Sequence, residues 1–210
     1  LIISYALIIG NSLPVWRATI MSICGLVSYF LGRDKHLYNS LFLAALIILV
    51  LNPFSLFQLS FQLSFLSVFG ILYLFGFFKK LLSFLPKIVR VSLSISFSAQ
   101  CFIYPILAYN FQEISLVSPL TNIVIIPIVW MIVSNGLIGI LLYMLLPFLG
   151  VIYGYSNRFF ILLLTKIVEF FSSFSLSSIE VKKPIYILLI LYYVGLLLLP
   201  LVFIRKQTKK

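Results

Sequence analysis

Residues 52–70, NPFSLFQLSFQLSFLSVFG, decide the fold. The run is strongly apolar, yet it carries Gln58, Ser60, Gln62, Ser64 and Ser67 and opens on Asn52-Pro53. On a helix, Gln58 and Gln62 lie four apart, and the three serines follow at spacings of four and three, so much of the polar set shares one side. In hydrocarbon such side chains face the interior of a helix bundle or a wet cavity. Hydrogen bonding between helices fits the same pattern, so the stretch predicts a polar helix inside an apolar assembly and leaves its purpose to the rest of the chain.

Composition gives the class. Of 210 residues, 63% are hydrophobic and only 9% charged, far more apolar than a soluble domain, so the chain reads as an integral membrane protein. Several apolar runs approach the roughly 20 residues that cross a bilayer as a helix. They are too long and too continuous for the roughly ten-residue alternating strands of an outer-membrane barrel. The expected fold is therefore all-α, a polytopic membrane bundle forming a single domain over residues 1–210. The net charge of +11 sits mainly in short clusters between apolar runs, where Lys and Arg orient spans. Attraction of an anionic ligand is the other use of such charge.

Residues 1–9 read as the end of a helix closed by Gly10, Asn11 and Ser12. Together with Leu at position 1, this predicts a chain that begins inside a span of something larger. Pro14 suits the first turn of a helix running to about Leu31. Arg17, one turn in, either snorkels to the interface or faces a wet vestibule and meets an anion. Arg33, Asp34, Lys35 and His36 form a polar junction on the cytoplasmic side by the positive-inside rule. Leu37 to Leu51 is short for a crossing, Pro53 breaks it, and a longer helix over 54–78 returns to a second basic cluster, Lys79, Lys80, Lys87 and Arg90.

In the next span Ser92, Ser94, Ser96 and Ser98 alternate with apolar residues, but the membrane-length context favours a helix with Ser on two faces, kinked or ended early by Pro105. In residues 115–146, Pro119 and Pro127 bracket Thr121 and Asn122, and Asn135-Gly136 interrupts the pattern again. That spacing predicts a broken or re-entrant helix lining a pore, with a Pro-kinked ordinary span as the alternative. Arg158, Lys166 and Glu169 interrupt the following apolar run on one face, which predicts an amphipathic helix lying in the membrane interface. A re-entrant piece after Glu113 would flip the side on which residues 150–183 lie.

Catalysis is not expected. The chain has no GxxxxGK[ST] loop, a single histidine, and four acids, Asp34, Glu113, Glu169 and Glu180, with no pair at a spacing suited to acid–base work. Cys24 and Cys101 sit inside apolar runs without a CxxC pairing and read as small buried residues. No metal, cofactor or proton-carrying mid-span acid is expected.

Gly10 with Ser12 and Pro14, Arg17-Ala18 and Met21 in RATIM, Gly32-Arg33, Asn52-Pro53, FQLSF at 61–65, and Asn122 with Pro127 in SPLTNIVIIP occur in an order that resembles the transmembrane competence domain of the ComEC family. The resemblance covers roughly residues 1–135. Ser60 stands where the family pattern usually has Gly before FQLSF, which bears on close backbone packing there.

The resemblance implies a channel component that imports single-stranded DNA across the bacterial cytoplasmic membrane. It also implies flanking soluble domains that residues 1–210 do not include. A polyanion cannot cross dry hydrocarbon, so the path has to be wet. Gln58, Gln62, Ser64, Thr121 and Asn122 would hydrate it with weak, repeated contacts, Phe61 and Phe65 would offer stacking faces, and Arg17 would serve at the mouth. Expected partners are single-stranded DNA, other DNA-uptake proteins, the lipid bilayer and a second copy of the chain. Two other roles fit the apolar helices: a transporter or flippase for an anionic lipid or metabolite, and a structural anchor for a soluble domain.

Overall fold

A computed structural model describes residues 13–30, 37–174, 178–181, 184 and 186–207. Seven helices are present among them: α1 (Leu13–Phe30), α2 (Leu37–Leu51), α3 (Leu59–Leu81), α4 (Lys87–Asn110), α5 (Ser118–Leu145), α6 (Pro147–Ser172) and α7 (Tyr186–Gln207). Two short strands, β1 (Glu113–Ile114) and β2 (Ile179–Glu180), complete the chain, which is the expected all-α bundle. Helices α3, α4, α5 and α6 are each long and apolar enough to cross a membrane. The expected helix end and turn over 1–12 and the polar junction over 33–36 lie outside the described residues.

The break at Asn52-Pro53 is real and local. Pro53 cannot donate to α2, so α2 stops at Leu51 and a 3-10 turn, Pro53–Phe57, starts on the proline. Asn52 caps it: its Oδ1 accepts from the Phe54 N–H at 3.1 Å. Helix α3 follows at once and ends on Lys79 and Lys80, whose charges complement the negative end of the helix dipole.

Helix α4 is the centre of the molecule, packing against α3, α5, α7 and β1. Its closest neighbour is α3, and small residues make the approach. A Cβ added at Gly70 would lie 2.5 Å from the Ser98 carbonyl oxygen and 2.8 Å from Phe102 Cδ2. Ser94 and Ser98 are fully buried, and their hydroxyls donate back to the carbonyls of Arg90 and Ser94, so the close contact leaves neither unsatisfied. Leu74, Phe102 and Leu196 form the buried core, with Phe69 edge-on to Phe102 at 5.4 Å.

Pro105 neither ends nor interrupts α4, which continues to Asn110. Proline lacks the N–H that would bond the Cys101 carbonyl, and α7 supplies the replacement: Tyr192 donates its hydroxyl to Cys101 O at 3.0 Å. Tyr193 donates to Phe102 O at 2.9 Å, and Tyr73 of α3 donates to Leu197 O at 2.5 Å. Three tyrosines thus tie α7 to the α3–α4 pair.

Two expectations for the second half are corrected. Helix α5 is not broken: Pro119 sits in its first turn, where a missing N–H costs nothing, Pro127 lies inside it, and Asn135-Gly136 is helical. Its glycines serve packing instead. Cβ atoms at Gly136 and Gly139 would come 3.3 Å from Asn157 Nδ2 and 3.1 Å from Tyr153 Cβ, and one at Gly150 would overlap Tyr143. These contacts run antiparallel along α5 and α6, so α6 is the second arm of a hairpin as long as a span, not a helix lying apart in the interface. Arg158, Lys166 and Glu169 are exposed on it.

The strands set which segments share a side. β1 and β2 pair antiparallel, Glu113 opposite Glu180 and Ile114 opposite Ile179, and the Val181 N–H donates to Gln112 O at 2.8 Å. Residues 113 and 180 therefore share one end of the bundle, and α5 and α6 run out and back between them. At the opposite end lie Lys79, Lys80, Lys87, Arg90 and the C-terminus of α7, with Arg205 and Lys206. Basic residues thus gather at one end, while Glu113 and Glu180 stand at the other, with Lys182 and Lys183 next in sequence.

Gly70→Ala is expected to push α3 from α4 and cost about 1–3 kcal/mol. Gly76→Ala, where nothing stands within 4 Å, is the control and should leave the melting temperature of the detergent-purified protein unchanged or higher.

Candidate functional site

The polar groups of the bundle converge where α5 begins. The Gln100 Nε2 donates to Ser118 Oγ at 2.5 Å, the Tyr104 hydroxyl lies 2.6 Å from Gln100 Oε1 and 2.9 Å from the Ser115 carbonyl, and Ser118 donates to Ser115 O at 3.3 Å. One turn further along, Asn122 Nδ2 donates to the buried Ser96 Oγ at 3.3 Å. Thr121 closes on its own helix, donating to Val117 O at 3.0 Å.

The register of these bonds sets the geometry. Ser118 stands beside Gln100, ten residues before α4 ends at Asn110, which is about 15 Å along the helix axis. The start of α5, with the positive end of its dipole, thus lies beside the middle of α4, and the non-helical segment over 115–117 leads down to it. Irregular backbone at that depth is stable only where protein or water satisfies it, and Tyr104 and Gln100 do part of that work. Gln100, Tyr104, Ser118, Thr121 and Asn122 all remain half-buried, so the seam is reachable from outside. Neutral donors and acceptors in this arrangement can solvate and orient an anion without holding it.

The α3 row is placed differently. Gln62 Nε2 donates to Leu56 O at 3.1 Å, and Ser64 and Ser67 donate to the carbonyls of Ser60 and Ser64 at 2.6 and 2.8 Å. These side chains satisfy local backbone, whereas Gln58, which precedes α3, makes no side-chain cap. Phe61 is buried at 5% exposure with its ring 4.3 Å from that of Phe65, so Phe65 has the more accessible face of the two. Helices α3 and α5 do not touch among the described elements, so α4 separates the α3 row from Thr121 and Asn122. The side chain of Arg17, on α1, lies outside the described residues.

Sequence reasoning singled out Thr121 and Asn122 but missed their partners. Ser96 was visible only as one of an alternating row, and Tyr104 looked like one aromatic among many. By sequence spacing Glu113 and Glu180 offered no pair. They face each other at the rim of a cavity of about 490 Å³ lined by Phe111, Gln112, Glu113, Glu180 and Val181, with Ser178 Oγ donating to Glu113 Oε2 at 3.0 Å. No group of three His, Cys, Asp or Glu occurs among the described residues.

Helices of this length and polarity, four of them candidate spans joined by short turns, define a multi-pass membrane protein with a cluster of bonded polar side chains at one helix start. The chain belongs to the Competence protein family, whose model matches residues 1–206. It is 26% identical over 205 residues to the ComE operon protein 3 of Bacillus subtilis (strain 168), an alignment that covers 97% of this chain and 26% of that protein. The chain thus spans about a quarter of the length of that relative. No solved structure matches it.

Gln100→Leu removes the group that joins Tyr104 to Ser118. The expected cost is about 0.6–1.7 kcal/mol, together with faster hydrogen exchange at residues 115–120 and unchanged exchange in α6.

Proposed function

We propose that this chain forms part of a conduit that carries single-stranded DNA across the cytoplasmic membrane, acting without catalysis of its own. The observation that carries the reading is the start of α5 beside the middle of α4, where Ser96, Gln100, Tyr104, Ser118 and Asn122 form a polar seam within an apolar bundle. Membership of the Competence protein family supports DNA as the cargo.

The physical requirements agree. An ion in dry hydrocarbon costs far more than any contact made there returns, so a strand with one charge per nucleotide needs continuous hydration. Neutral amides and hydroxyls provide water sites and weak contacts, which favours passage over retention. The N-terminus of α5 adds a positive potential without a fixed cation. The basic end of the bundle faces the cytoplasm by the positive-inside rule, which places Glu113 and Glu180 outside and makes the strand enter past the ladder. Driving force comes from partner proteins of DNA uptake, and the path is completed by further protein, a second copy or the remainder of a longer chain.

The test uses a full-length protein in a competent host whose own copy is removed. Thr121→Val with Asn122→Leu should reduce cytoplasmic arrival of labelled DNA by about tenfold, the loss expected when weak polar sites along a pore are removed, with membrane levels unchanged. Uptake at the unaltered rate, with the protein present in normal amounts, rejects the seam as the path. A protein that moves anionic lipid and ignores oligonucleotides would be a flippase.

A further inference from the structure

Helix α6 has two opposite faces. Gly150, Tyr153, Asn157, Phe160, Leu164 and Ile167 recur at alternating spacings of three and four and are among its less exposed residues, the seam against α5. Tyr155, Arg158, Leu162, Thr165 and Glu169 recur with the same spacing on the far side and are all exposed, with Lys166 beside them. α6 packs against α5 and no other described element, so this second stripe is open.

Arg158 lies 11 residues from Pro147 and 14 from Ser172, about 17 and 21 Å from the two ends of the helix. A guanidinium at that depth does not rest against lipid tails. In membrane proteins it faces water or pairs with an anion. No described residue bonds it. A second copy of this chain in the same orientation has no acid to offer at that level, because Glu113 and Glu180 lie in the terminal ladder and Glu169 near the end of α6. What fits an open stripe with Arg158 at mid-depth and Lys166 further along is a hydrated polyanion.

We infer that the outer face of α6, from Tyr155 to Lys166, is a water-exposed surface of the translocation path, with Arg158 contacting the phosphates of the passing strand. The inference rests on the conduit reading and adds a site on the far side of the hairpin from the α4–α5 seam. Arg158 contributes a mobile fixed-charge contact, Tyr155 a ring one turn away that can meet a base, and Thr165 a hydroxyl for the next phosphate.

The experiment uses the full-length protein with Cys24→Ala and Cys101→Ala, carrying Tyr155→Cys or Thr165→Cys so that Arg158 is retained. Leu163→Cys, exposed but turned about 140° from Arg158, is the control. A membrane-impermeant methanethiosulfonate reagent should modify positions 155 and 165 but not 163, and a 40-nucleotide oligothymidylate probe should protect both in low salt. In uptake assays Arg158→Leu should lower DNA arrival about tenfold while Arg158→Lys, which keeps the charge, stays within about threefold. Unmodified cysteines at 155 and 165 overturn the inference, since the stripe is then covered by lipid or protein. So does modification that the oligonucleotide fails to block. If Arg158→Leu imports normally while the Thr121 and Asn122 variant does not, this inference fails and the conduit reading stands. If both import normally, both fail.

Discussion

A polar group in the apolar body of this bundle has to find its partner in protein or in water, because hydrocarbon supplies none. That constraint explains features that would be incidental in a soluble domain. Ser94, Ser98, Ser64 and Ser67 donate back along their own helices. Pro105 is tolerated in α4 because Tyr192 reaches across from α7 to the carbonyl it leaves free. Close helix approach is compatible with the same constraint: Gly70 sits against the Ser98 carbonyl and Phe102, while the Ser98 hydroxyl bonds back to Ser94 O.

The constraint also separates structural polarity from functional polarity. Groups that close on their own helix are complete without a ligand, and most of the α3 row is of that kind. Of the groups that bond outside their helix, Tyr73, Tyr192 and Tyr193 fasten α7 to α3 and α4, while Gln100, Tyr104, Ser118 and Asn122 meet at the start of α5. Exposed charge without a partner among the described residues, as at Arg158, implies surroundings other than lipid. The polar residues of a membrane chain can be sorted in this way by where their hydrogen bonds end.

Much of the fold was legible in the sequence because spans are written in length and hydropathy. The break at Pro53, the start of a helix near Pro14 and the basic turn between α3 and α4 all follow from local chemistry. What misled was also local. Pro119, Pro127 and Asn135-Gly136 look like breaks in one dimension, but Pro119 occupies a permissive first turn and Gly136 is spent on contact with Asn157. Arg158, Lys166 and Glu169 suggested a helix lying flat, because the sequence does not show that α6 has a glycine-lined seam on its other side. The site was half legible: Asn122 stood out, while Ser96 lies 26 residues away and no spacing rule joins them.

The small ladder of β1 and β2 has a bearing on assembly. It joins segments separated by the whole α5–α6 hairpin, so its hydrogen bonds can form only after both arms are threaded through the bilayer. Until then the strand edge at Glu113 and Ile114 is unpaired. Glu113 and Glu180 also oppose each other directly, and like charges in that position weaken a pairing that is only two residues long. The ladder is thus a clasp of two residue pairs that closes the loop around the whole α5–α6 hairpin.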